Sequence, residues 1–337
     1  MINRILIVGY GSIGKRHLRL MRELVPNADI RVLRHEKTFE IPEFSNGCFY
    51  SVDEAIAFGP QVAIIASPAP FHISTAMSLA SVGVHLLVEK PLSSSLNGVL
   101  DLIKFCKKQN IILMIGYNLR FLPSLQKFRN SLHDGIIGKI LSVRCEVGQY
   151  LPTWRPDNDY RRGASANRHL GGGVLLELSH ELDYLRWIFG EIDWVKATLS
   201  RQSLLEIDVE DTAHLTLGFA PPLDGPQLVG VLSLDFIRHD TTRLCTAIGE
   251  RGSLRWNALD DQVSIYEVNT KNWRELFCQP SGNDDSYKAE LNSFIECAIN
   301  HKPPMISGED GFKVLQVIEA ARNSEISGGL MFKVESA

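Results

Sequence analysis

The chain has 337 residues, 45% of them hydrophobic and 22% charged. That is the balance of an ordinary water-soluble protein, longer than a single core commonly fills, so two domains are expected. A net charge of -4 offers nucleic acid no general attraction, and no apolar run approaches the roughly 18 residues of a membrane helix. The cysteines (Cys48, Cys106, Cys145, Cys245, Cys278 and Cys297) are scattered without metal-ligand spacing. They fit reduced thiols in a cytoplasmic protein better than a disulfide framework or a zinc site, so no metal is expected.

In chain order, Arg4 opens the run Ile-Leu-Ile-Val, which stops at Gly9 and is soon followed by Lys15 and Arg16. This reads as a first buried strand, not a signal peptide. Ile30–Leu33, Val62–Ala66, Leu86–Val88 and Ile111–Ile115 are the next strand candidates, with helices predicted over His17–Leu24, Ile73–Val82 and Leu96–Lys108. Five strands with helical crossovers predict a Rossmann-type, doubly wound parallel sheet over residues 1–118.

After Asn118 the rhythm changes. Leu141–Gln149, Trp194–Arg201, Ala213–Phe219, Leu228–Phe236, Cys245–Ile248 and Val263–Tyr266 read as strands, separated by turn signals such as Pro221-Pro222 and Asp224-Gly225-Pro226. Tyr287–Asn300 and Gly308–Ser324 return to helix. The expectation for 119–337 is an α+β domain built on a mainly antiparallel open sheet.

Gly9-Tyr10-Gly11-Ser12-Ile13-Gly14 follows the first strand and opens a helix, the context a dinucleotide-binding G-x-G-x-x-G requires. Gly9 permits the tight turn, Gly11 admits a pyrophosphate to the backbone, and Gly14 lets the helix pack on the strand. Ser12 and Ile13 present N–H groups of the first helical turn. About 20 residues further on, where an acidic residue would hold a ribose 2′-hydroxyl, stand Arg34 and His35, with Lys37 close by and Glu36 as a weak acidic substitute. Basic side chains there suit a 2′-phosphate, so NADP(H) is favoured and NAD(H) possible.

Glu89-Lys90-Pro91 lies at the carboxyl end of a predicted parallel strand, where open α/β sheets bind ligands. Taken in order, Gly9–Gly14, Ala66-Ser67-Pro68 with His72, Glu89-Lys90-Pro91, Gly116-Tyr117-Asn118 with Arg120-Phe121, and Gly171-Gly172-Gly173 resemble the motifs of the glucose-fructose oxidoreductase/inositol dehydrogenase/MocA-like (Gfo/Idh/MocA) oxidoreductases. The resemblance covers nearly the whole chain. It implies a C-terminal open sheet used for homo-oligomerisation (dimer or tetramer), and sugars, cyclitols or their derivatives as substrates. It also implies cofactor contacts at Ser67, Pro68, His72, Glu89, Lys90 and Asn118, substrate contacts at Tyr117 and Arg120, and Lys90 beside nicotinamide and substrate.

Over Leu175–Phe189, the residues Leu178, Leu182, Leu185 and Phe189 recur at helical spacing, with Glu177, His180, Asp183, Tyr184 and Trp187 on the other side. Glu177 and Asp183 stand three residues either side of His180, near enough to orient its imidazole as a general base requires. His180 matches the family's catalytic histidine. Many members carry an acid four residues before it; here that position is Leu176, so either Glu177 takes the role or the site works without it.

Between Tyr150 and Arg168, the residues Trp154, Arg155, Tyr160, Arg161, Arg162 and Arg168 mix aromatic faces with guanidinium forks. They hint at an anionic sugar, a sugar acid or a nucleotide sugar; a solvated loop explains them equally well. The segment also resembles a subgroup from bacterial surface-glycan pathways, including those for sialic-acid-like sugars. The expected activity is hydride transfer between nicotinamide and a sugar carbinol carbon. A non-catalytic nucleotide sensor and a glycoside hydrolase using tightly held NAD are the alternatives, and no nucleic-acid or membrane partner is expected.

Overall fold

Strand β1 (Arg4–Val8) buries every residue after Arg4, as a strand does when helices cover both faces of its sheet. The computed structural model describes residues 2–35, 40–156 and 158–335. After β1 come α1 (Ser12–Leu24), β2 (Asp29–Leu33), β3 (Gly47–Phe49), α2 (Val52–Ala57), β4 (Val62–Ile65), α3 (His72–Ala80), β5 (His85–Glu89), α4 (Val99–Lys108) and β6 (Leu113–Gly116). The strands pair in parallel in the order β3-β2-β1-β4-β5-β6. Ile5, Leu6, Ile7, Ile64, Leu87 and Val88 have no exposed surface, and each such side chain contributes about 1.5–3 kcal/mol.

The second part contains α5 (Pro123–His133), β7 (Ile140–Gly148), α6 (Val174–Glu177), α7 (His180–Phe189), β8 (Ile192–Ser200), β9 (Thr212–Phe219), β10 (Val229–Asp235), β11 (Thr242–Gly249), β12 (Gly252–Asn257), β13 (Gln262–Glu267) and β14 (Asn272–Cys278). The chain ends with α8 (Asp285–Asn300), α9 (Gly308–Ile326) and β15 (Phe332–Lys333). Nine strands pair in the order β14-β13-β12-β11-β7-β10-β9-β8-β15, antiparallel except for β7 with β10. The doubly wound sheet and the mainly antiparallel sheet expected from the sequence are both present.

Two compact units result: Met1–Asn118 with Asp284–Leu315, and Leu119–Asn283 with Gln316–Ala337. Residues 284–315 therefore group with the first unit and not with the rest of 119–337. Among the described residues no helix is long and apolar enough to cross a membrane.

Several elements differ from their predicted form. The first sheet has six strands, not five, because β3 is three residues long and only its glycine is buried. Helix α1 begins at Ser12, five residues earlier than predicted, since Gly14 lies inside it. Helix α5 and strands β12, β14 and β15 were not anticipated. In β12 the alternation is real, with Leu254 and Trp256 buried and Arg255 exposed, whereas the first four residues of β14 are all exposed, with Trp273 the one apolar side chain among them.

The predicted helix over Leu175–Phe189 is two helices, α6 and α7, separated at Leu178-Ser179. Three of the five residues on its supposed polar face are buried, His180 at 9%, Asp183 at 1% and Tyr184 at 0% exposure, while Glu177 and Trp187 are half-buried. The polar groups survive burial by pairing. Tyr184 stacks edge-on against Trp256 at 5.3 Å and its hydroxyl lies 2.8 Å from Cys145 Sγ, while Glu181 pairs with Arg243 at 2.8 Å.

Candidate active site

In the first unit the nominated residues converge through topology. The segments leaving β1, β2, β4, β5 and β6 begin with Gly9, Arg34, Ala66-Ser67, Lys90 and Tyr117-Asn118 respectively. All emerge at the carboxyl edge of one parallel sheet, where ligands of such sheets sit.

Gly9 has φ +94°, and a Cβ there would lie 2.7 Å from the Ala66 carbonyl oxygen; only glycine fits. A Cβ on Gly14 would strike the Gly9 carbonyl, whereas one on Gly11 would meet nothing within 4 Å. Helix α1 has no side-chain cap at Gly11 and no acidic residue in its first turn. Its N–H groups, among them those of Ser12 and Ile13, are thus left for an anion, which the helix dipole also favours. The residues present fit a dinucleotide pyrophosphate.

This geometry separates two roles. Gly11→Val should leave the thermal midpoint nearly unchanged while weakening dinucleotide binding by about ten- to a hundredfold, the equivalent of one or two charge-assisted hydrogen bonds. Gly14→Ala should lower the midpoint itself. Calorimetry and nicotinamide fluorescence titration on the two variants check both.

Arg34 is half-buried, with its guanidinium 5.4 Å from the Tyr10 ring centroid. It also hydrogen-bonds Cys48, whose thiol burial pushes up and Arg34 partly pulls down. His35 is exposed and lies edge-on to Phe71 at 6.1 Å. Glu36 and Lys37 lie outside the described residues.

His72, nominated for cofactor contact, is 2% exposed. Its Nε2 is 2.6 Å from the Ser67 carbonyl and its Nδ1 3.1 Å from that of Pro91. Burial pushes its pKa down, and both contacts are carbonyl oxygens, so the neutral ring donates to one of them only. His72 lies between the segment after β4 and the one after β5. Glu89 is likewise buried: its Oε1 is 2.6 Å from His17 Nε2, and its Oε2 accepts from the backbone N–H of Lys90 at 3.1 Å. Burial acts to raise the Glu89 carboxyl, but His17 and Lys90 outweigh it and hold it below the usual range. Lys90 is half-buried, and the bond from Lys90 to Pro91 is cis. Tyr117 is fully buried, and Asn118, also buried, donates to Ser286 Oγ at 2.8 Å.

In the second unit His180 is the first residue of α7, and Glu177 ends α6, half-buried. Asp183, nominated to orient His180, accepts twice from Arg120, at 2.8 Å from Nε and 2.6 Å from Nη2. Arg120 was nominated for substrate contact. It is 3% exposed, with its guanidinium 5.5 Å from the Trp187 ring, and its pair with Asp183 fastens it to α7.

The arginine-rich loop largely satisfies itself. Arg161 pairs with Asp159 at 2.8 Å and Glu206 at 3.3 Å, Arg162 lies 3.9 Å from Asp159, and Arg168 donates to the Asp208 carbonyl. Tyr160 Oη accepts from the Glu206 N–H, and Trp154 donates to the Gln149 carbonyl. Arg155 is exposed. A Cβ on Gly173, just past this loop, would strike the Glu210 carboxylate, which explains a glycine at that position.

Sequence reasoning passed over His17, Glu290, Glu181 and Arg243. His17, Glu290 and Glu181 are polar residues at helical positions that only tertiary packing buries, Arg243 on β11 is half-buried beside Glu181, and no local pattern marks any of them.

Residues 3–117 match the oxidoreductase family's NAD-binding Rossmann fold, and residues 129–334 its C-terminal alpha/beta domain. Myo-inositol 2-dehydrogenase from Thermotoga maritima is 25% identical over 350 residues, covering 95% of this chain and 96% of the relative. A levoglucosan dehydrogenase structure in complex with NADH superposes with a TM-score of 0.85 at 21% identity, over 99% of this chain and 100% of that one. The WlbA dehydrogenase from Bordetella pertussis, in complex with NADH and UDP-GlcNAcA, gives 0.81 at 20% identity over 100% of both. The chain belongs to the Gfo/Idh/MocA oxidoreductase family, with an NAD(P)-binding Rossmann fold joined to the family's C-terminal domain.

Proposed function

We propose that this protein transfers a hydride between a nicotinamide dinucleotide and a carbinol carbon of a sugar or sugar derivative. The observation carrying this reading is the convergence of Gly9–Gly14, Arg34, Ser67 and Lys90 at the carboxyl edge of one parallel sheet. When bound, nicotinamide supplies the hydride acceptor or donor. In the oxidising direction His180 takes the hydroxyl proton, and the Lys90 ammonium stabilises the developing alkoxide. Glu89 and His72 hold the segment that carries Lys90, while Arg120 and Asp183 hold the helix that carries His180.

Exposed arginines in 155–168 favour an anionic sugar, and the UDP-GlcNAcA bound by WlbA dehydrogenase supports that class. The exposed Leu141, Val229 and Val231 on β7 and β10 favour homo-oligomerisation through the second sheet. Arg34 favours NADP(H), with NAD(H) accommodated.

Paired titration with NADPH and NADH, following nicotinamide fluorescence, tests the cofactor half. Arg34→Ala should weaken NADPH about tenfold or more by removing a charged partner of the 2′-phosphate, and leave NADH nearly unchanged. Tighter NADH binding by the unaltered protein would overturn the NADP(H) preference, and binding of neither would overturn the reading.

A further inference from the structure

We propose that Glu290 is held as a neutral carboxylic acid behind Glu89, so that the two carboxyls carry one negative charge between them. That charge, pinned on Glu89 by His17 and by the backbone N–H of Lys90, positions the lysine. The second half rests on the role given to Lys90 above.

His17, Glu89 and Glu290 come from α1, β5 and α8, and their ligand-type atoms lie within 4.8 Å of one another. His17 and Glu290 are 0% and Glu89 7% exposed. Two ionised carboxylates at this separation, both removed from water, repel strongly, so one of them keeps its proton. The donors decide which. Glu89 receives His17 at Oε1 and the Lys90 N–H at Oε2. Neither oxygen of Glu290 has a hydrogen-bond partner among the described residues.

A carboxylate with two donors is stabilised in its charged form, and one with none is not. Burial first, and then the charge of Glu89, push Glu290 well above the usual carboxylate range. The remaining neighbours do not reverse this. Tyr287 lies edge-on to His17 at 5.9 Å, and burial pushes its phenol up to about 12, so it stays neutral. Arg16 lies 4.8 Å from the Tyr287 ring centroid and counters that shift only in part. On the adjacent strand Gly116 faces Glu89, and a Cβ there would sit 3.2 Å from Glu89 Oε2; glycine leaves that oxygen room to take the Lys90 N–H.

The sign of the pH dependence follows. A group whose pKa is raised by folding gives its full stability below the unfolded glutamate value, about 4.3, and loses it as pH rises toward the folded value. Gln carries no such proton. The thermal midpoint of Glu290→Gln should therefore gain steadily on that of the unaltered protein between about pH 5 and 8; a flat difference would overturn the proposal.

Infrared spectroscopy of the unaltered protein at neutral pH should show the carbonyl stretch of a protonated carboxyl, lost in Glu290→Gln. Its absence from the unaltered protein would overturn the proposal too. So would one equivalent of divalent metal in the purified protein, because a metal there would need both carboxylates ionised. In protein labelled with [15N]lysine, the Lys90 amide resonance, identified by its loss in Lys90→Met, should shift in Glu89→Gln. An unmoved resonance would sink the positioning half. Full turnover by Lys90→Met would remove the reaction role while leaving the infrared band in place, so the two failures are separable.

Discussion

Replacing Asp183 with alanine is expected to lower the thermal midpoint of the second unit by about 6–20 °C. Asp183 forms a bidentate pair with Arg120, and their side chains are 2% and 3% exposed respectively. Removing one partner leaves a guanidinium buried without its counter-charge, which costs about 3–5 kcal/mol. In a unit of this size each kcal/mol shifts the midpoint by about 2–4 °C. Arg120→Met should do comparable damage by stranding the carboxylate. The double variant Arg120→Met with Asp183→Leu should recover much of the loss, since no charge is left unpaired. Calorimetry on the three variants decides the matter. A midpoint unmoved by Asp183→Ala would mean that the pair contributes nothing, and with it would go the assignment of Arg120 to holding α7.

The sequence marks neither Arg120 nor Asp183 as half of a buried pair. Arg120 and Asp183 are 63 residues apart, and neither stands in a pattern that signals burial. Arg120 looked like a substrate contact because it follows a family motif, and Asp183 like a partner of His180 because three residues separate them on a helix. Helical spacing says which side chains can reach each other and nothing about a partner 63 residues away; the Arg120 guanidinium fork donates to both oxygens of the Asp183 carboxylate. What was legible rests on local physics. The run Ile5–Val8, the glycines at 9, 11 and 14, and Lys90 after a buried strand each impose their meaning within a few residues. The sheet alternation of the second unit is legible in most strands with one buried face, is too short to stand out in β12 although Leu254 and Trp256 are buried there, and is missing at β14, which has no buried face to write the pattern. His17, Glu89 and Glu290 lie between these cases. Glu89 was found through its motif, and its partners only through the fold.

The second large effect concerns Lys90 and His180. Lys90→Met and His180→Ala should each lower turnover by about 10²–10⁴-fold, the usual worth of a positioned acid–base or electrostatic group. Nicotinamide affinity should stay within about threefold, because only an interaction made in the transition state is lost. Lys90→Arg should not rescue turnover, since a planar guanidinium presents its charge in a different place from an ammonium. The two variants should also differ in pH response. His180→Ala removes a proton acceptor, so its residual rate in the oxidising direction should rise with pH as hydroxide and alkoxide take over; Lys90→Met leaves the acceptor in place and should keep the original profile at a lower level. The same assays separate the rival activities. A dehydrogenase changes nicotinamide absorbance in step with product, whereas a hydrolase that holds NAD tightly breaks a glycosidic bond with no net change. A nucleotide sensor binds dinucleotide and turns over nothing, and in that case neither substitution has a rate to lose. A rate that falls only when dinucleotide binding falls with it would assign both residues to structure, and the catalytic pair would have to be sought elsewhere.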